Sequence, residues 1–302
     1  MLNFGFLRLV IFPLLAVLWW VPPSSGETPA AKMKAFVSIM PQAYFVERVG
    51  GFAVEVEVLV APGQSPATFE PTPKQMAALS GADIYFRIGM PFEDQLLRGI
   101  AAINEGLPVI DTRRGIKLRP MDEESTAGDE HGHEHHGRYD PHIWLNPGLV
   151  KIQARNIVAG LIELDPAGKT AYEKNLQEFQ ADLAELDSTI AEILAPLRGR
   201  EVFVFHPSYG YFAEAYGLKQ VAVETGGKEP GARQLADLIA RAKKDSVRVV
   251  FVQPQFSQKS AQTIAEAIGG AVVPLDPLAR DYLENLRRMA RAIERALAED
   301  GK

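Results

Sequence analysis

Eight apolar residues, Tyr172, Leu176, Phe179, Leu183, Leu186, Ile190, Ile193 and Leu197, recur at spacings of 4-3-4-3-4-3-4. That is the period of a single long amphipathic helix, and no strand can place those side chains on one face. Asp165 is a suitable N-cap with Pro166 at the first helical position, while Pro196 and Gly199 close the run. The resulting helix over 166–196 spans roughly 45 Å at about 1.5 Å per residue. Such an element makes a stiff connection rather than a flexible linker. The same stripe suits a coiled-coil dimer, but only about four heptads are present and both flanks read as α/β units. An intramolecular backbone helix is the expectation.

On both sides of this helix, short β-rich runs alternate with helical ones. Runs at 35–39, 54–60, 84–88 and 108–110 read as strands, with helices near 41–50, 73–80 and 92–103. The scheme repeats with strands at 202–205, 220–223, 247–252 and 271–275, and helices near 208–217, 231–244, 257–268 and 278–298. Strands separated by helices imply parallel sheets with crossover connections. The fold class is therefore α/β: two Rossmann-like parallel-sheet lobes joined by a long rigid backbone helix. The expected divisions are an N-terminal lobe at 33–146, connecting helices at 147–199 and a C-terminal lobe at 200–302.

The first 26 residues carry one positive charge, Arg8, then the apolar run 9–21 and the small, polar stretch 22–26. The run is short for a span of roughly 20 residues, and its layout is that of a secretory signal peptide. The chain has no cysteine, which excludes disulfides, thiolate metal sites, cysteine nucleophiles and a lipid-modified cysteine anchor. Export without such an anchor points to a periplasm. A net charge of −6 gives no reason to expect a nucleic-acid partner.

All six histidines lie between residues 131 and 206. His131, His133, His135 and His136 sit within the acidic, glycine-containing segment 120–138, and His142 and His206 stand alone. Clustered imidazoles point to a transition metal such as Zn²⁺. In open parallel sheets ligands bind beyond the carboxyl ends of strands. His206 follows the strand at 202–205, and Asp276 follows the one at 271–275. His142 lies in the aromatic, proline-punctuated segment 139–147. Each alone is equally a structural residue: a lone histidine before a proline, or an Asp-Pro cap. None of the spacings is a local metal motif. The acidic histidine segment suits loose capture or sensing better than one rigid geometry.

Four segments, 61–73 (APGQSPATFEPTP), 140–147 (DPHIWLNP), 205–212 (FHPSYGYF) and 275–278 (LDPL), occur together and in order. With them the chain resembles the zinc and manganese substrate-binding proteins of bacterial ABC importers, cluster A-I, and in particular the zinc-type members with a His-rich acidic loop. The resemblance covers essentially the whole mature chain. It implies two α/β lobes holding one metal ion, most often Zn²⁺, which is passed to an ABC membrane permease. It also implies ligands from histidines in the first three segments and a carboxylate or solvent in the fourth. Carried over, His142, His206 and Asp276 match, while Ala67 stands where the family has its first histidine. Zn²⁺ prefers four ligands. Water, Gln64, Glu70 or a loop histidine is left to complete the set, and Glu70 would make a harder site open to Mn²⁺ or Fe²⁺.

The implied function is binding and delivery by a monomer, with no catalysis. Two other classes stay open on the residues. Two histidines, a carboxylate and an open position also describe a hydrolytic metal centre. Glu224 and Glu229 are the nearest candidates for its base, and both read as structural or surface residues. Adhesion or storage through the histidine loop is the third class.

Overall fold

Four short strands open the fold: β1 (Met33–Val37), β2 (Val54–Val58), β3 (Ile84–Arg87) and β4 (Val109–Asp111). A computed structural model describes Met1 and residues 31–121, 139–224, 231–244, 247–256 and 258–299. Residues 2–26 of the expected signal peptide, the four loop histidines and Glu229 lie outside the described residues. The strands are parallel in the order β2-β1-β3-β4. Between them run α1 (Met40–Gly50), α2 (Pro73–Leu79) and α3 (Glu93–Ile103). Central β1 and β3 bury Ala35, Phe36 and Val37 against Ile84, Tyr85 and Phe86. Edge strand β2 instead alternates, exposing Glu55 and Glu57. β1 ends two residues before the apolar run does because Ile39 is the N-cap of α1, with a proline in its first turn.

The middle of the chain is α4 (Pro147–Leu164) and α5 (Lys169–Leu194). The expected helix start at Pro166 is corrected: Asp165 caps a separate 3-10 turn, Pro166–Gly168, by accepting from Gly168 N at 3.2 Å. The same carboxylate accepts from Tyr172 Oη at 2.7 Å, which pins the first turn of α5 to the bend. Tyr172, Phe179, Leu183, Leu186 and Ile190 are buried. They face this chain's own α1 and α4 and the C-terminal helix, so the stripe is an intramolecular seam.

The second sheet repeats the first. β5 (Glu201–Val204), α6 (Gly210–Tyr216), β6 (Lys219–Ala222), α7 (Ala232–Lys244), β7 (Val249–Val252), α8 (Gln258–Ile268), β8 (Ala271–Pro274) and α9 (Tyr282–Glu299) follow in turn. The strands are again parallel, in the order β6-β5-β7-β8. Strand alternation divides the core. Val202, Val204 and Phe251 join the large core that runs through α5 and α9 to the first sheet, while Phe203, Phe205, Val250 and Val252 pack with α8 on the other face. In both sheets the order reverses beside the first strand, between β1 and β3 and between β5 and β7. Those are the switch points where open α/β sheets hold ligands.

Candidate metal centre

His142 stands where the chain turns into α4. It is the N-cap of the 3-10 turn Ile143–Leu145, and Asn146 then caps α4 by accepting from Gly148 N and Leu149 N. The residue is 7% exposed. Its Nδ1 lies 2.7 Å from Asp140 Oδ1, which also accepts from His142 N at 3.0 Å. Arg119 Nη1 reaches the other oxygen of Asp140 at 3.3 Å. A Cβ at Gly210 would lie 1.4 Å from that Nη1, so glycine there leaves room for the Arg119–Asp140 pair.

His206 comes two residues after β5, at the second switch point. Gln253, just past β7, grips its backbone: His206 N donates to Gln253 Oε1 at 3.2 Å and Gln253 Nε2 donates to His206 O at 2.7 Å. The imidazole stacks on Phe256 at 4.7 Å and 21°. Its Nδ1 lies 2.9 Å from Glu224 Oε2. The two imidazoles then meet edge to face, with centroids 5.4 Å apart.

Both rings are therefore held in the same way. A carboxylate only accepts, so each Nδ1 is the donor and the lone pair of a neutral ring falls on Nε2. That is the orientation of the carboxylate–histidine arrangement common at zinc. Burial also lowers the pKa of His142 from the ordinary 6.5, and the nearby His206 adds to the shift against the opposing pull of Asp140. A neutral imidazole is the metal-binding form.

The other candidates are placed differently. Asp276 Oδ1 accepts from Gln255 Nε2 and from Leu278 N, each at 2.9 Å, so its carboxylate closes a turn ahead of α9. It lines a cavity of about 230 Å³ between the strand ends of the two sheets, with Ile39, Val60 and Pro62 on one side and Gln255 and Arg280 on the other. Neither His142 nor His206 lines that cavity. Ala67 lies exposed in the turn Pro66–Thr68, and Glu70 is exposed. Helix α2, which follows Glu70, is capped by a reciprocal box of Thr72 and Gln75. Among the described residues no three His, Asp or Glu side chains are gathered as a metal-holding group. The histidine pair is brought together, and Asp276 and Glu70 are not gathered with it. Of the two readings of Glu224, structural or surface residue, the structure shows the first: it is buried and bonded to His206.

Residues 36–296 match the family described as the periplasmic zinc-uptake complex component A, ZnuA. The chain belongs to that family. The high-affinity zinc uptake system protein ZnuA of Bacillus subtilis (strain 168) is 31% identical over 258 residues, covering 84% of this chain and 81% of that protein. A crystal structure of ZnuA shares 43% identity, with a TM-score of 0.81 over 88% of this chain and 99% of that one. A ZnuA deletion mutant solved with zinc bound also shares 43% identity, with a TM-score of 0.80 over 88% and 98% of the two chains. ZnuA-family proteins are substrate-binding components of transport systems, so the chain is not an enzyme and the hydrolytic reading of its histidines falls away.

Proposed function

We propose that this chain captures Zn²⁺ in the periplasm and delivers it to an ABC import permease, with His142 and His206 as ligands and residues 1–26 as a removed signal peptide. The observation that carries this reading is the facing pair of imidazoles, each with Nδ1 held by a buried carboxylate and Nε2 left for a cation. Zinc is the cargo, and two nitrogen donors favour it over the oxygen-seeking divalent ions. The name of the Bacillus relative, a high-affinity zinc uptake protein, supports the same ion. Asp276 supplies the third donor by turning from Gln255, and water, Glu70 or a loop histidine takes the position Ala67 cannot fill. If Glu70 takes it, the site becomes harder and admits Mn²⁺ or Fe²⁺.

Burial of most of the α5 stripe within the chain occupies the surface that coiled-coil pairing would use, which supports a monomer. Among the described residues no helix is long and apolar enough to cross a membrane. The test is titration of metal-free protein with Zn²⁺ against a competing chelator. One tight site is expected, lost in His142→Ala and in His206→Ala. A tight site that survives both substitutions would overturn the assignment of ligands.

A further inference from the structure

We infer that Glu224 is a positioning residue for the metal, fixing the His206 ring with its lone pair outward and carrying the buried negative charge that a divalent cation neutralises. This rests on the reading of His206 as a ligand. Glu224 lies two residues beyond β6, and its backbone N donates to Phe205 O at 2.8 Å, which sets it alongside the segment that presents His206. It is 2% exposed. One oxygen takes the His206 Nδ1 hydrogen at 2.9 Å. The other, Oε1, is buried and has no hydrogen-bond partner among the described residues.

Comparison with Asp140 shows why this carboxylate is special. Asp140 does the same for His142, but Arg119 sits 3.3 Å from it and shares its charge. Glu224 forms an ion pair only with His206 among the described residues. A buried carboxylate answered by one imidazole is costly unless a positive charge arrives nearby. A divalent cation on Nε2 of the same ring is that charge. It draws electron density from the imidazole, polarises Nδ1–H and strengthens the bond to Glu224, so metal binding and the carboxylate support each other. The arrangement favours a doubly charged ion without requiring that Glu224 touch it.

Glu224→Gln and Glu224→Ala separate charge from orientation. In Glu224→Gln the amide oxygen still accepts from Nδ1–H, so the tautomer is kept and only the charge is lost. In Glu224→Ala both go. Zn²⁺ affinity by chelator competition should fall by about 10–100-fold in Glu224→Gln and further in Glu224→Ala. Long-range ¹H–¹⁵N spectra of the metal-free protein should show His206 protonated at Nδ1 in wild type and in Glu224→Gln, with the Nε2–H form appearing in Glu224→Ala. The melting temperature of metal-free Glu224→Gln should hold or rise, because a buried charge has been removed. A purely structural Glu224 gives the opposite: a lower melting temperature with Zn²⁺ affinity within twofold of wild type. That result, or an Nε2–H tautomer in the wild type, overturns this inference while leaving the ligands in place if His206→Ala still abolishes binding. Tight binding that survives His206→Ala overturns both.

Discussion

Trp144→Phe tests how the two sheets are tied together. The indole is 1% exposed, and its Nε1 donates to Pro277 O, in the loop that carries Asp276, at 2.7 Å. The backbone oxygen of Trp144 in turn accepts from Tyr282 Oη at the start of α9, also at 2.7 Å. Phenylalanine keeps that second bond and removes the first, leaving the buried Pro277 carbonyl without its donor at a cost of about 1–3 kcal/mol. The smaller ring also leaves a partial void worth about 1 kcal/mol. The sum, about 2–4 kcal/mol, corresponds to a fall in Tm of about 5–12 °C for a chain of this size. Thermal unfolding of the metal-free protein followed by far-UV circular dichroism measures it. The ring lies 5.1 Å from His142, and Trp144 is the only tryptophan after residue 26, so wild-type fluorescence should also report Zn²⁺ binding and that signal should vanish in the variant. A Tm within about 2 °C of wild type would refute the claim that this bond joins the two halves.

Phe179→Ala removes a fully buried ring of α5 that packs on Phe45 at 5.9 Å and lies under the Arg48 guanidinium at 4.9 Å. It should destabilise by about 3–5 kcal/mol, read by urea unfolding, and a loss under about 1 kcal/mol would mean the stripe is not the seam described. Because burial lowers the His142 pKa below 6.5, the unfolded chain takes up that proton first on acidification. Metal-free stability should therefore be fully present above about pH 6.5 and decline below it, more steeply than in His142→Asn; a rise in stability on acidification from pH 7 to 5 would contradict the sign. Deleting residues 122–137 removes four of the six histidines and should leave one tight Zn²⁺ site by calorimetry, with stoichiometry above one lost. Collapse of the tight site would instead make a loop histidine the substitute for Ala67.

Element order and type were legible because they depend on local period. The 4-3 stripe of α5, the alternation in β2 and the apolar runs of β3 and β7 each announce their structure within a few residues. Boundaries were less so. Asp165 is a good cap whichever turn follows it, and its bond to the Tyr172 hydroxyl, seven residues on, has no sign in the local period. The proposed site was half legible. His142 and His206 stand out as candidates from their positions at a turn and a strand end, but the carboxylate that holds His206 does not. Asp140 is only two residues from His142, within reach of a local reading, whereas Glu224 is brought to His206 by sheet register across 18 residues. The engagement of Asp276 by Gln255 spans 21 residues and leaves no local trace.

The large core bears on how metal is taken and given up. It runs without interruption from the first sheet through α5 and α9 into one face of the second, and Trp144, Tyr282 and the Glu47–Arg280 ion pair bridge the same division. Opening the halves as on a hinge would expose that apolar surface and break buried hydrogen bonds worth about 1 kcal/mol each, with nothing gained in return. Side-chain rotation is cheaper. Asp276, proposed as the third donor, is held by one side-chain amide and one backbone N–H, and releasing the first breaks a single side-chain hydrogen bond and no core packing. Capture should therefore proceed by rearrangement at the strand ends, with the sheets nearly fixed. Small-angle scattering of metal-free and zinc-loaded protein should superimpose, and a change in radius of gyration beyond about 1 Å would show that domain closure, not side-chain exchange, carries the cycle.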